Sequence, residues 1–261
     1  MRDLIRMWSN TRMIVLVAIS AAVYAAILLP FKLFPIVPGV TELRPATAIP
    51  PLASLLFGPA AAWGMGFGNL IGDFASGLGP VTPFGMLGNF LLGWMPYRLW
   101  RAMSSEPLPR FISGEKASAS SQGLLVQVAE FLFIIVVASA ACALVIGWGG
   151  LIFEAFPVKA VVPIIFVNNV LWGGFVTPLV ARAVAPRVRA WGLTADQILG
   201  VSQRSQSPTR LIGLFLAPAS ALGGVLVLYL LAGSPGEAAG VDLRWLAGVP
   251  SVLVLVGTAL L

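Results

Sequence analysis

The sequence predicts an all-α membrane protein, a bundle of helices that cross a bilayer. Three observations carry that reading. Apolar residues make up 58% of the 261 and charged residues only 10%, with a mean hydropathy of +0.94. A soluble domain carries about 25% charged residues, so this chain lacks the polar groups to cover a water-facing surface. The apolar residues gather into runs of span length, and the basic residues cluster between those runs. A span needs about 20 apolar residues, fewer where protein surrounds it.

Eight runs are candidate spans: Met13–Leu29, Ala46–Phe57, Ala60–Phe74, Phe84–Trp100, Leu124–Phe153, Val158–Ala183, Leu211–Ala232 and Trp245–Leu261. The first follows Arg2, Arg6 and Arg12 but continues without a small-residue cleavage site, so it reads as a span and not as a signal peptide. The second and third are short and rich in Gly and Pro, and one kinked span is the alternative. Charge decides between them, because Lys and Arg favour cytoplasmic loops. With eight spans and a cytoplasmic N-terminus, the inner segments carry Arg2, Arg6, Arg12, Arg98, Arg101, Arg110, Lys116, Arg182, Arg187, Arg189, Arg204 and Arg210. The outer segments carry only Lys32, Arg44, Lys159 and Arg244. Merging the short pair would put the stretches 98–116 and 182–210 outside. Two spans are therefore expected, with both termini cytoplasmic in a multi-pass protein of the cell (plasma) membrane.

The connection Ser104–Gln122 is Ser-rich with mixed charge and is expected to be a flexible cytoplasmic loop. The basic, polar stretch Ala185–Thr209 is expected on the membrane surface. This divides the chain into a six-span bundle (1–184), a basic cytoplasmic linker (185–210) and a two-span C-terminal extension (211–261). No internal repeat stands out.

Composition also excludes chemistry. The net charge of +6 comes from the interspersed basic clusters that set membrane orientation, so nucleic acid is not an expected partner. Histidine is absent and Cys142 is the one cysteine, which removes Ser–His–Asp catalysis, His–metal sites, cysteine clusters and internal disulfides. Cys142 lies in an apolar run and reads as a small buried hydrophobe. No glycine precedes Lys32, Lys116 or Lys159, so there is no phosphate-binding loop and no expected ATP hydrolysis. No catalytic residue, metal site or cofactor is expected.

Polar residues inside apolar helices are the informative ones, since each needs a partner. In the third span Gly64, Gly68 and Gly72 form a smooth stripe that permits close helix approach. Asn69 and Asp73, four apart, lie on a neighbouring face near the expected outer end. Asp73 either contacts a cationic or hydrogen-bonding ligand, or it caps the helix or pairs with Arg44. Glu42 and Arg44 stand at the outer mouth of the second span, where Arg44 can pair with Glu42 or Asp73 or hold an anionic group. In the fourth span Gly85, Asn89 and Gly93 share a face, and Asn89 serves either as interhelical glue or in the ligand wall. In the sixth span Asn168 and Trp172 are one turn apart, an amide beside an indole, suited to a flat heteroaromatic ligand or to a packed polar pair. Glu130, one turn after Gln127, reads as a proton site or a side chain snorkelling to the interface. Trp94, Tyr97 and Trp100 beside Arg98 and Arg101 read as an interfacial aromatic belt. In the first span Ala18, Ala22 and Ala26 repeat every four residues, and Ala21 and Ala25 widen a small-residue face fit for helix docking.

The run ELRPATAIPPLASLLFGPAAAWGMGFGNLIGD, followed by GPVTPFGMLGNFLLGWMPYRLW, resembles the substrate-binding S components of energy-coupling-factor transporters, most of all the queuosine-precursor (QueT-like) group. The resemblance covers the first six spans. It implies a six-helix S-component-like bundle that captures a vitamin-like molecule from outside. It also implies an EcfT-like transmembrane coupling protein and two ATPase subunits that power uptake. The Ala18, Ala22, Ala26 face matches the alanine pattern with which that family docks on its coupling protein, and the segment Phe31–Arg44 matches the loop that covers the ligand. The last two spans exceed the family's six.

The expected function is therefore a substrate-capture subunit for a small vitamin-like or nucleobase-like solute, with Glu42, Arg44, Asn69, Asp73, Asn89, Asn168 and Trp172 as its polar contacts. Two other classes stand beside it: a stand-alone proton-coupled carrier with Asp73 or Glu130 as proton site, and a non-transport membrane scaffold. An intramembrane enzyme, which without histidine would need an Asp-based or Ser–Lys site, ranks behind both.

Overall fold

A computed structural model describes residues 2–32, 35–37, 41–104, 106–114, 123–200, 209–232, 237–238 and 241–261. Parts of three expected loops lie outside the described residues: 33–34 and 38–40 of the covering segment, 105 and 115–122 of the Ser-rich connection with Lys116, and 201–208 of the linker with Arg204.

The described chain is helical apart from two small antiparallel hairpins. After the short α1 (Arg2–Arg6), helix α2 spans Thr11–Phe31. Asn10 starts α2 by accepting the backbone N–H groups of Arg12 and Met13 on its side chain, which satisfies two otherwise orphaned donors. The hairpin β1 (Pro35–Val37) and β2 (Thr41–Glu42) leads to a 3-10 turn at Pro45–Ala48 and then α3 (Ile49–Phe57). Helices α4 (Pro59–Ser76), α5 (Thr82–Met103), the short α6 (Arg110–Ser113) and α7 (Leu124–Ile152) follow. Next come α8 (Val158–Leu171), a π-helical turn (Trp172–Val176), α9 (Thr177–Ala190) and the short α10 (Ala195–Leu199). The chain ends with α11 (Arg210–Leu231), the hairpin β3 (Glu237–Ala238) and β4 (Val241–Asp242), a 3-10 turn and α12 (Gly248–Leu260).

Four stretches are long and apolar enough to cross a membrane: Thr11–Phe31, Leu124–Ile152, Val158–Leu199 and Arg210–Leu231. Pro45–Phe57 and Arg244–Leu260 are shorter apolar helices. In α4 and α5 the glycines and the side chains of Asn69, Asp73, Asn89, Arg98 and Arg101 dilute the hydropathy of otherwise long helices.

The second and third apolar runs are two helices. They part at Gly58, whose φ of 53° and ψ of −118° lie in a region open to glycine. The glycine stripe of α4 faces α2: a Cβ on Gly64 would stand 2.5 Å from Ser20 Cβ, and one on Gly68 would stand 2.9 Å from the Ala21 carbonyl oxygen. Bare glycine thus lets two backbones touch, which brings the buried Tyr24 on α2 against the polar face of α4 and α5. Helix α7 runs through the middle, packed by α5, α8 and α11, and Cys142 is buried on it.

Three expectations change. Trp94, Tyr97 and Trp100 form no interfacial belt but are buried, because α5 lies between α4 and α7 with the chain around Glu106 folded against it. Trp100 Nε1 donates to the Glu106 carbonyl (2.8 Å), and Arg98 and Arg101 lie over the rings of Trp94 and Tyr97. The helix expected to end at Ala183 continues to Ala190, since Ala181, Ala185 and Val188 keep one face buried while Arg182 and Arg187 stay exposed.

An internal repeat also emerges. Long helix, two-stranded hairpin, 3-10 turn and short helix occur as α2–β1–β2–α3 and again as α11–β3–β4–α12. The sequences agree at the punctuation: Thr11-Arg12 and Thr209-Arg210 at the start of the long helix, Glu42-Leu43-Arg44 and Asp242-Leu243-Arg244 where the hairpin ends, Pro50 and Pro250 in the short helix, and Gly58 and Gly257 near its end. The packing differs. In the first unit α4 lies against α2, whereas in the second α12 packs directly on α11 and both lie on α7.

Candidate functional site

The polar residues meet at the end of the bundle where β1–β2 lies. Glu42 ends β2, and Arg44 immediately precedes the 3-10 turn. The Thr47 hydroxyl donates to the Arg44 carbonyl (2.7 Å), and Asn168 on α8 holds the same strip of backbone from the other side. Its Oδ1 accepts from Arg44 N (3.4 Å) and its Nδ2 donates to the Glu42 carbonyl (3.1 Å). Trp172 Nε1 donates to the same Oδ1 (3.2 Å), so the indole braces the amide.

With its backbone clamped, Arg44 points inward and is 9% exposed. Its Nη2 donates to Asn69 Oδ1 (2.9 Å), and its Nε lies 3.0 Å from Glu42 Oε1. A guanidinium has donors only and remains charged, so it fixes which way the Asn69 amide faces. The Nδ2 of Asn69 is then left to donate to Asp73 Oδ2 (2.9 Å). Asn69 Oδ1 also accepts from Asn89 Nδ2 (2.9 Å), which donates in addition to the Gly85 carbonyl (2.8 Å). That leaves Asn89 Oδ1 to accept the Tyr24 hydroxyl proton (2.7 Å). One continuous network therefore joins α2, α4, α5 and the segment after β2. Lys32 at the end of α2 completes it, with Nζ 3.3 Å from Asp73 Oδ1 and 2.6 Å from Ser76 Oγ.

These groups border a cavity of about 320 Å³, whose walls include the exposed stretch at Ser76, Gly77, Gly79 and Pro80. Lys32, Glu42, Arg44, Asn69 and Asp73 make the polar wall, and Ile146, Phe156, Val161 and Ile165 make the apolar wall. A concave site of this size with a few converging polar groups suits a small molecule. The two acids and two bases offset each other, so the site favours a polar solute with donors and acceptors over a bare ion.

Of the residues singled out in the sequence, Glu42, Arg44, Asn69 and Asp73 line the cavity. Asn89 lies behind Asn69, Asn168 clamps backbone and Trp172 braces Asn168. Arg44 pairs with Glu42, and Asp73 pairs with Lys32. Glu130 is not among the lining residues; sixteen residues of α7 separate it from Ile146, about 24 Å of helix. Sequence reasoning missed Lys32, Tyr24, Ser76 and Phe156. Lys32 counted only as an outer charge, and no spacing signal links it to Asp73, 41 residues on.

The small-residue face of α2 divides. Ala21 and Ala25 are buried against the bundle, whereas Ala18, Ala22 and Ala26 are exposed, flanked by exposed Val15, Ile19 and Val23.

A family model described as QueT transporter matches residues 14–186, more than half of the chain. No curated protein and no solved structure matches.

Proposed function

The chain belongs to the QueT transporter family, and from that premise we propose that it is the substrate-capture subunit of an energy-coupling-factor importer for a vitamin-like or nucleobase-like micronutrient. The observation that carries this is the convergence of Glu42, Arg44, Asn69 and Asp73 on one open cavity. Such a wall presents donors and acceptors side by side to the edge of a flat solute, and Phe156 with the aliphatic residues of α7 and α8 covers its face. Asn89, Asn168 and Trp172 act one layer behind, holding the contacting groups in place.

In this reading residues 1–184 are a six-span capture unit, 185–210 a basic cytoplasmic linker and 211–261 a two-span extension, in the plasma membrane with both termini cytoplasmic. The clustering of Lys and Arg supports that orientation. The cavity then opens outward, with Lys32, Glu42 and Arg44 on its wall. The chain binds and does no chemistry. An EcfT-like coupling protein and two ATPase subunits supply the energy, and docking uses the exposed alanines Ala18, Ala22 and Ala26, whose small side chains admit a partner helix closely.

Mass spectrometry of small molecules released from the purified full chain tests this. The expected result is one small heteroaromatic solute bound in near-stoichiometric amount, and its uptake into vesicles only with the coupling protein, the ATPases and ATP. Proton-driven uptake by the chain alone would instead make it a secondary carrier, with Asp73 as the proton site.

A further inference from the structure

The C-terminal unit reaches the cavity from behind. Glu154, in the turn between α7 and α8, has φ of +50° and is the one non-glycine with positive φ among the described residues. Helices that end on a left-handed residue usually place glycine there. The turn has that form, with Ala155 N donating to the Gly150 carbonyl (3.1 Å). A glutamate at such a position is conformationally unfavourable, so its carboxylate calls for a role. That carboxylate forms an ion pair with Arg244, the residue that repeats Arg44 in the second unit. The next two residues, Ala155 and Phe156, line the cavity, and the Phe156 ring lies over Gly150, where a Cβ would stand 2.3 Å from it.

Two further ties join the C-terminal unit to this end of the bundle. Trp245 packs edge-on against Trp148, which meets Phe84 in the same way, and Phe84 meets Phe153 at the turn itself. Lys159, at the start of α8, lies over the ring of Tyr229. Helices that merely filled space against α7 would need apolar contacts and no charged ties at the loop end.

We propose that Arg244 is a positioning residue of the cavity: by engaging Glu154 it ties the C-terminal unit to the α7–α8 turn and holds Phe156 in the cavity wall. The repeated hairpin thus serves twice. The first copy presents Arg44 to the cavity, and the second uses Arg244 to fix a wall of it. The link to ligand capture rests on the function proposed above, whereas the link to the turn does not.

Hydrogen exchange on the full chain in nanodiscs tests both. In R244Q, amides in the segment 150–158 exchange faster by about two- to five-fold, the size an exposed ion pair can give, with the rest of the bundle unchanged. The charge-swapped R244E/E154R pair restores slow exchange. R244Q also retains less of the solute that co-purifies with the wild type, measured by mass spectrometry. Unchanged exchange at 150–158, or an equal loosening of the α2–α4 pair, overturns the positioning role. Full solute retention with a loosened turn overturns its link to the cavity. A wild-type protein that carries no solute defeats the capture function, while the exchange ratio still decides on Arg244.

Discussion

Replacing Asn69 by alanine should destabilise the bundle and disorder the cavity in one stroke. Its side chain is 1% exposed and makes three hydrogen bonds, from Arg44 and Asn89 and to Asp73. Hydrogen bonds between membrane helices average about 0.6 kcal/mol each, and a buried group left without its partner costs about 1–3 kcal/mol. The three partners do not suffer equally. Arg44 and Asp73 line the open cavity, where water can replace Asn69. Asn89 is 1% exposed but keeps its bond to the Gly85 carbonyl. The total is therefore about 2 kcal/mol, near the sum of the bonds and short of three full orphans. For a chain of this size that lowers the unfolding midpoint by about 4–8 °C. The assay is a thermal scan of the purified chain at fixed rate, with Ser139→Ala as control. Ser139 is fully buried and its hydroxyl has no hydrogen-bond partner, so replacing it removes an unpaired group and should leave stability unchanged or raise it. A shift in Asn69→Ala no larger than that of Ser139→Ala would refute the network as a source of stability.

Four other outcomes follow from the geometry. Gly68→Ala should cost about 1–3 kcal/mol in the same scan, because its Cβ meets the Ala21 carbonyl, which cannot move aside, and Tyr24. Gly223→Ala, with nothing within 4 Å, should gain up to about 1 kcal/mol from helix propensity. Gly58→Ala should lose about 1–3 kcal/mol, since it puts a side chain at φ 53° and 2.9 Å from the Tyr97 ring; equal stability to wild type would remove the strain argument. Ala22→Trp should leave the unfolding midpoint and the bound solute unchanged but reduce ATP-driven uptake in reconstituted vesicles more than about ten-fold, by blocking helix docking. Normal uptake would remove α2 as the docking face.

Much of the helix layout was legible because it depends on residues close in the chain. The glycine stripe of α4 and its Asn69–Asp73 pair are four-residue spacings, and each maps directly onto one helix face. The break at Gly58 was readable from charge distribution on either side. The aromatic cluster of α5 was misread because Trp and Tyr next to Arg look alike at an interface and under a covering loop. The repeat escaped notice because its two long helices match only as apolar for apolar, and its shared residues are a few at hairpin and helix ends. Side by side, the two hairpins make the correspondence plain.

The bilayer as solvent, the helical build and the small set of polar groups set into it are legible in the amino-acid order alone. Those follow from composition and from periodicity along single helices, which are local properties. Which of those groups meet depends on how the helices pack. Asn168 holds the backbone of Arg44 across 124 residues of chain, Lys32 finds Asp73, and Ala21 turns inward while Ala22 turns out. Such choices depend on how bare backbones at Gly64 and Gly68 let α2 approach α4 and on what that approach buries, and no spacing within one helix encodes the position of another.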